Sequence, residues 1–145
     1  MNFVLDTNIL IHALRKSSIY TDLNRDLSFF DIDNTAFISS VTIGELYSFA
    51  FQNKWGSVRI SNMEALLKKL IPVPVEKENL ILAYANIDAF SNGKHPNIPL
   101  GTSARNMGKN DLWIAATTLI SKSTLITMDN DFNHLHNVFF KVISV

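Results

Sequence analysis

Short apolar runs alternate along this chain with stretches of helical period. "NFVL" (2 to 5) has the pattern of a buried strand, and "NILIHALRK" (8 to 16) that of a short helix behind it. "TAFISS" (35 to 40) predicts a second strand, followed by a helix from about Thr42 to Asn53. The helical stretch "SNMEALLKKL" (61 to 70) leads into "IPVPV" (71 to 75), whose alternating prolines allow only a short or peripheral strand. A helix in "EKENLILAYANIDAF" (76 to 90) precedes a long loop of turn residues, 91 to 110. Then come a helix in "DLWIAATTLIS" (111 to 121), a strand in "TLITM" (124 to 128) and a terminal strand in "FFKVISV" (139 to 145). Strands separated by helices require right-handed crossovers and a parallel sheet covered on both faces, so the expected class is α/β.

Composition narrows the picture. With 145 residues and 47% hydrophobic content, residues 1 to 145 are expected to form one domain with a substantial core. Thirteen basic residues balance thirteen acids, so no global positive field announces nucleic acid or a membrane surface, and an anionic partner has to be held locally. The absence of cysteine removes disulfides, thiolate nucleophiles and cysteine-based zinc sites. Asp6 interrupts the only candidate leader, and no run of about 18 apolar residues offers a membrane span. A cytoplasmic, membrane-free protein is expected.

The chemistry lies in where the acids fall. In open parallel sheets, functional groups gather beyond the carboxyl ends of the strands. Asp6 ends the first strand in "VLDTNIL", and Asp129 follows "TLITM" in the same way, with Asp131 two residues on. Glu45, in "SSVTIGEL", is placed in the first turn of the helix after the second strand, and Asp111 opens the helix after the long loop. Four segments thus deliver acids to one edge. Three have a plainer explanation: Thr42 and Glu45 match a capping box, Asp111 suits a helix start, and Asp129 to Asp131 fit an Asx turn, whereas Asp6, at the end of a buried strand, must find donors or a metal. Converging carboxylates resist joint ionisation, and a hard divalent cation, Mg²⁺ or Mn²⁺, removes that cost.

"VLDTNIL", "SSVTIGEL", "NDLWIAATTL" and "LITMDNDF", in this order and spacing, resemble the signatures of PIN-domain ribonucleases, most of all the VapC-like toxins of bacterial toxin-antitoxin pairs. The resemblance spans essentially the whole chain. It implies an α/β/α sandwich around a parallel sheet of about five strands, and hydrolysis of RNA to a 5′-phosphate and a 3′-hydroxyl. It also implies an acidic quartet of Asp6, Glu45, Asp111 and Asp129 that is both catalytic and metal-binding, with Asp131 as an auxiliary ligand. Thr7 and Asn8 match the small polar residues that orient the first acid, and Thr127 the hydroxyl near the last. A cognate antitoxin and a homodimer are implied in the same way.

RNA needs local phosphate contacts. Arg105 and Lys109, in the loop that delivers Asp111, are the candidates, with Lys94 and His95 earlier in it and Arg15 and Lys16 after the first helix. A solvated loop is the competing explanation. His134 and His136 are expected to pack or bond locally, since no further soft ligand is near in sequence. Tyr47, Phe49, Phe51 and Trp55 put more aromatic surface on one helix than a single face buries, which fits either two-sided packing or a partner. A PIN-type nuclease of RNA processing without a toxin role is one alternative. A Mg-dependent phosphatase is another, but it wants a second acid where Asn8 stands. A receiver domain wants an acid after a third strand that here runs into "VPVEKEN".

Overall fold

The computed structural model describes residues 1 to 145. Five strands, β1 (Asn2–Leu5), β2 (Thr35–Ser39), β3 (Ile71–Val73), β4 (Thr124–Thr127) and β5 (Lys141–Ser144), form one sheet in the order β3-β2-β1-β4-β5, every pairing parallel. β1 is central because its apolar run can be covered on both faces: Phe3, Val4 and Leu5 are all fully buried. The pleat sends them to opposite sides. Phe3 and Leu5 join a core with Ile9, Leu10, Phe29, Ile38, Leu46 and Met63, whereas Val4 joins one with Ile87, Phe90, Leu112, Ile114 and Phe132.

Those cores are built by α1 (Thr7–Leu14), α3 (Ser40–Gln52) and α4 (Ser57–Leu67) on one face, and by α5 (Glu78–Ser91) and α6 (Lys109–Ile120) on the other. The result is an α/β/α sandwich with a five-stranded parallel sheet, as the pattern of runs predicts. β3, with its prolines, lies at the sheet's edge, where a missing N–H is tolerated.

Three helices start earlier than the apolar pattern implies. β2 runs without a loop into α3, whose N-cap is Ser39, so Glu45 sits in the second turn, not the first. The capping-box explanation falls with that shift: Thr42 lies inside the helix, buried, its hydroxyl without a partner. α4 begins at Ser57 and α6 at Lys109, behind the N-caps Gly56 and Gly108. A further helix, α2 (Ser18–Leu27), fills a stretch that the apolar runs leave unassigned. It has no fully buried residue, yet Tyr20, Leu23 and Leu27 pack against the core at helical spacing. Ser17 caps its start, and Ser28 ends it in the left-handed region at φ 51°. No helix is long and apolar enough to cross a membrane.

Candidate active site

Parallel strands carry the acids to one edge because β1, β2 and β4 all end there. Asp6 follows β1 directly and caps α1: its Oδ1 accepts from the Thr7 amide at 2.6 Å, and its Oδ2 from the Thr127 hydroxyl at 2.6 Å. Thr127 also accepts from the Asp129 amide at 2.9 Å, so one hydroxyl ties the ends of β1 and β4 together. Asp6 is only 5% exposed. Burial pushes its carboxyl up from the ordinary value, the Thr127 and Thr7 bonds pull it back, and Glu45 and Asp129 push it up again; the net direction is upward.

Thr7 does more than orient Asp6. Its hydroxyl donates to Glu45 Oε1 at 2.9 Å, which fixes a carboxylate from a different helix. Asn8, its neighbour, is exposed and bonds to neither acid. Asp129 does form the Asx turn that its sequence allows, accepting from the Asp131 amide at 2.8 Å as the cap of the 3-10 turn Asn130–Leu135. That bond uses one oxygen and leaves Oδ2 free.

Asp111 stands in the first turn of α6, half-buried. Its carboxyl is pushed up to about 6, first by burial and then by the charges of Asp6, Asp129, Glu45 and Asp131. All five acids therefore share one electrostatic field. The tightest group is Asp111, Asp129 and Asp131, whose ligand oxygens lie within 4.8 Å of one another. The donors are carboxylate oxygens only, the set a hard divalent cation prefers, and such a cation would offset both the burial and the neighbouring charges that raise Asp111. These residues fit Mg²⁺ or Mn²⁺.

Two supports escape a reading of the sequence. A Cβ at Gly108 would stand 3.1 Å from Asp111 Oδ2, so a glycine at this N-cap leaves room for the carboxylate. Asn110 lines a groove of about 630 Å³ with Thr7, Ile11, Glu45, Phe49 and Gln52, extending from the acids along α3. A glycine directly before a helix was the available signal for the first; nothing local marks the second.

The loop residues divide. Arg105 anchors by its backbone, donating to the Ser91 carbonyl at 2.7 Å, while its exposed side chain lies close enough to His134 to help burial lower that imidazole's pKa. Lys109, at the first position of α6, and Lys94 are exposed. His95 is a loop anchor: Nδ1 accepts from the amides of Asn97 and Ile98 at 3.1 Å each, so Nε2 carries the proton and donates to Asn86. His134 pairs with the Ser91 hydroxyl at 2.7 Å and stacks on Phe90, and His136 accepts from the Val142 amide at 2.9 Å. Both are locally bonded, as expected.

A PIN domain family model matches residues 3–137. The chain belongs to the PIN domain family. This is a family of nucleases that generally use divalent metals, which agrees with an edge built from carboxylates alone. A comparison with curated protein sequences gives no match. Among solved structures, this PIN domain is similar to VapBC-1 from nontypeable Haemophilus influenzae, with 24% identity, TM-score 0.76, and 99% of this chain and 98% of the other covered. It is similar to VapBC2 from Rickettsia felis bound to a DNA fragment from its promoter, with 20% identity, TM-score 0.75 and coverage of 100% and 99%. DNA-bound VapBC from Salmonella typhimurium follows with 16% identity, TM-score 0.73 and coverage of 99% and 98%. The fold is thus that of PIN-domain toxins solved as toxin-antitoxin complexes.

Proposed function

We propose that this chain, one nuclease domain over residues 1 to 145, is a divalent-metal-dependent endoribonuclease and the toxin of a toxin-antitoxin pair acting in the cytoplasm. The observation that carries the proposal is Asp111: a half-buried carboxyl pushed up to about 6, first by burial and then by four neighbouring acids, describes a site that a cation would complete at neutral pH. Asp111, Asp129 and Asp131 would hold it, with Asp6 and Glu45 completing the negative wall. The bound ion would supply a more acidic water and a counter-charge for the phosphoryl oxygens.

The chain's own residues set the geometry. Thr127 and the Thr7 amide aim both oxygens of Asp6, and the Thr7 hydroxyl aims Glu45. The reaction joins a water oxygen to phosphorus and breaks the bond to the 3′ oxygen, which leaves as the 3′-hydroxyl after taking a proton; the 5′-phosphate remains. No histidine is required: His12, His95, His134 and His136 are bonded to Ser17, Asn86, Ser91 and the Val142 amide. Arg105 and Lys109, exposed beside the acids' loop, would contact phosphates.

An antitoxin segment bearing an arginine fits the groove that starts at Glu45, its guanidinium meeting the carboxylates. Phe51 on α3 and, separately, Ile81 and Leu82 on α5 are exposed apolar residues, and a homodimer would cover such surface. The test is RNA cleavage by the purified chain with Mn²⁺ and with chelator, paired with expression alone and beside the neighbouring gene. Metal-dependent cleavage and growth arrest relieved by the neighbour are expected. Cleavage without arrest would leave a nuclease of RNA processing; no cleavage at millimolar Mn²⁺ would refute the enzyme.

A further inference from the structure

The four aromatics of the 45 to 55 segment do not form one surface. Tyr47 pairs with Phe51, ring centroids 6.0 Å apart, while Phe49 pairs edge-on with Trp55 at 5.7 Å. The second pair belongs to a cleft of about 480 Å³ between the end of α1, the end of α3 and the start of α4, lined by Leu14, Arg15, Phe49, Asn53, Trp55, Arg59 and Asn62.

The charge of this cleft is one-sided. Arg15 lays its guanidinium over Phe49, 5.6 Å from the ring centroid. Both ion pairs of the chain are made by Arg25, so Arg15 and Arg59 have no acidic partner, and no acid lines the cleft. In a protein of zero net charge, two free guanidiniums beside two aromatics and two amides make a local anion site.

The cleft is also connected to the acids. Phe49 lines both it and the groove that contains Glu45. Glu45 and Asn53 are eight residues apart on α3, about 12 Å along the helix axis, a span a few nucleotides cover. A positive groove with aromatic platforms is how proteins hold single strands without reading sequence. An arginine-bearing antitoxin segment is suited to the acids and repelled here.

We infer that the Arg15–Arg59–Trp55 cleft binds single-stranded RNA a few nucleotides from the scissile phosphate, the guanidiniums holding backbone phosphates and Trp55 stacking a base. The inference rests on the nuclease reading for its choice of RNA, and its test is independent of cleavage.

Binding of a labelled long oligouridylate is followed by anisotropy in chelator, across a salt series. Arg15→Gln/Arg59→Gln is expected to weaken binding about tenfold and to lower the slope of log affinity against log salt by about 1.4, two phosphate contacts' worth for a single strand. Arg15→Lys/Arg59→Lys keeps the slope, because charge is kept. Trp55→Leu weakens binding and leaves the slope intact. Mn²⁺ calorimetry on each variant reports the fold and the acids, and is expected to be unchanged. An unchanged slope in the glutamine double variant, with Mn²⁺ binding intact, overturns the inference. So does loss of affinity for an Asp/Glu-rich peptide without loss for RNA, which would give the cleft to an acidic protein segment. Arginine-dependent binding by a chain that never cleaves RNA would refute the nuclease and leave the cleft standing.

Discussion

Asp111→Asn is expected to stabilise the metal-free protein at neutral pH while abolishing its activity. The folded carboxyl holds its proton up to about 6, whereas the unfolded one releases it near 3.8. Stability from this group is therefore fully present below about pH 4 and is lost as pH rises through 6, where the folded state must accept a fifth neighbouring charge. The gap corresponds to about 3 kcal/mol. The carboxyl is partly exposed, and screening brings that to about 1 to 2 kcal/mol. For a chain of this size the asparagine variant should melt about 3 to 8 °C above the parent at pH 7.5 in chelator. The two should converge near pH 4. Mn²⁺ should reverse the order, since the parent binds the cation more tightly. A variant that melts no higher than the parent in chelator at pH 7.5 would refute the claim that ionising this carboxyl, partly buried among four acids, costs the metal-free fold.

Other outcomes follow from the same contacts. Thr127→Val removes the only side-chain donor to Asp6 Oδ2 and should cost about 1 to 3 kcal/mol; the loss should grow with pH, because the bond favours the ionised acid, and melting curves across pH check this. Thr7→Val frees Glu45 and should slow RNA cleavage about tenfold with melting unchanged, Thr7→Ser restoring the rate; equal rates would remove Thr7 from the site. Asp6→Asn and Glu45→Gln should each cost about a hundredfold or more in turnover at saturating Mn²⁺, and an unimpaired variant would exclude that acid. Replacing Arg105 and Lys109 by Ala should lower the salt slope of RNA binding by about 1.4 without changing Mn²⁺ affinity; an unchanged slope would return both to solvent.

The α/β class and the edge that holds the acids were legible from the chain alone, because buried parallel strands are near-continuous apolar runs and functional groups follow their carboxyl ends. "NFVL" and "TLITM" show this directly: each ends where an acid or its hydroxyl partner begins, and the two strands are sheet neighbours. Helix starts were less legible. Ser39, Gly56 and Gly108 cap α3, α4 and α6 with no side-chain hydrogen bond to mark the boundary, and α2 carries too little buried surface to announce itself against its polar residues. What no local pattern contains is distance between remote segments. Thr7 reaching Glu45 across 38 positions, and Thr127 reaching Asp6 across 121, depend on how β1 and β4 pair and how α3 leans on the sheet. The same holds for Arg15 and Arg59: each is an ordinary exposed cation in the sequence, and only the packing of α1, α3 and α4 brings them to one cleft, because side-chain positions on separate helices are set by the shared core and not by either helix.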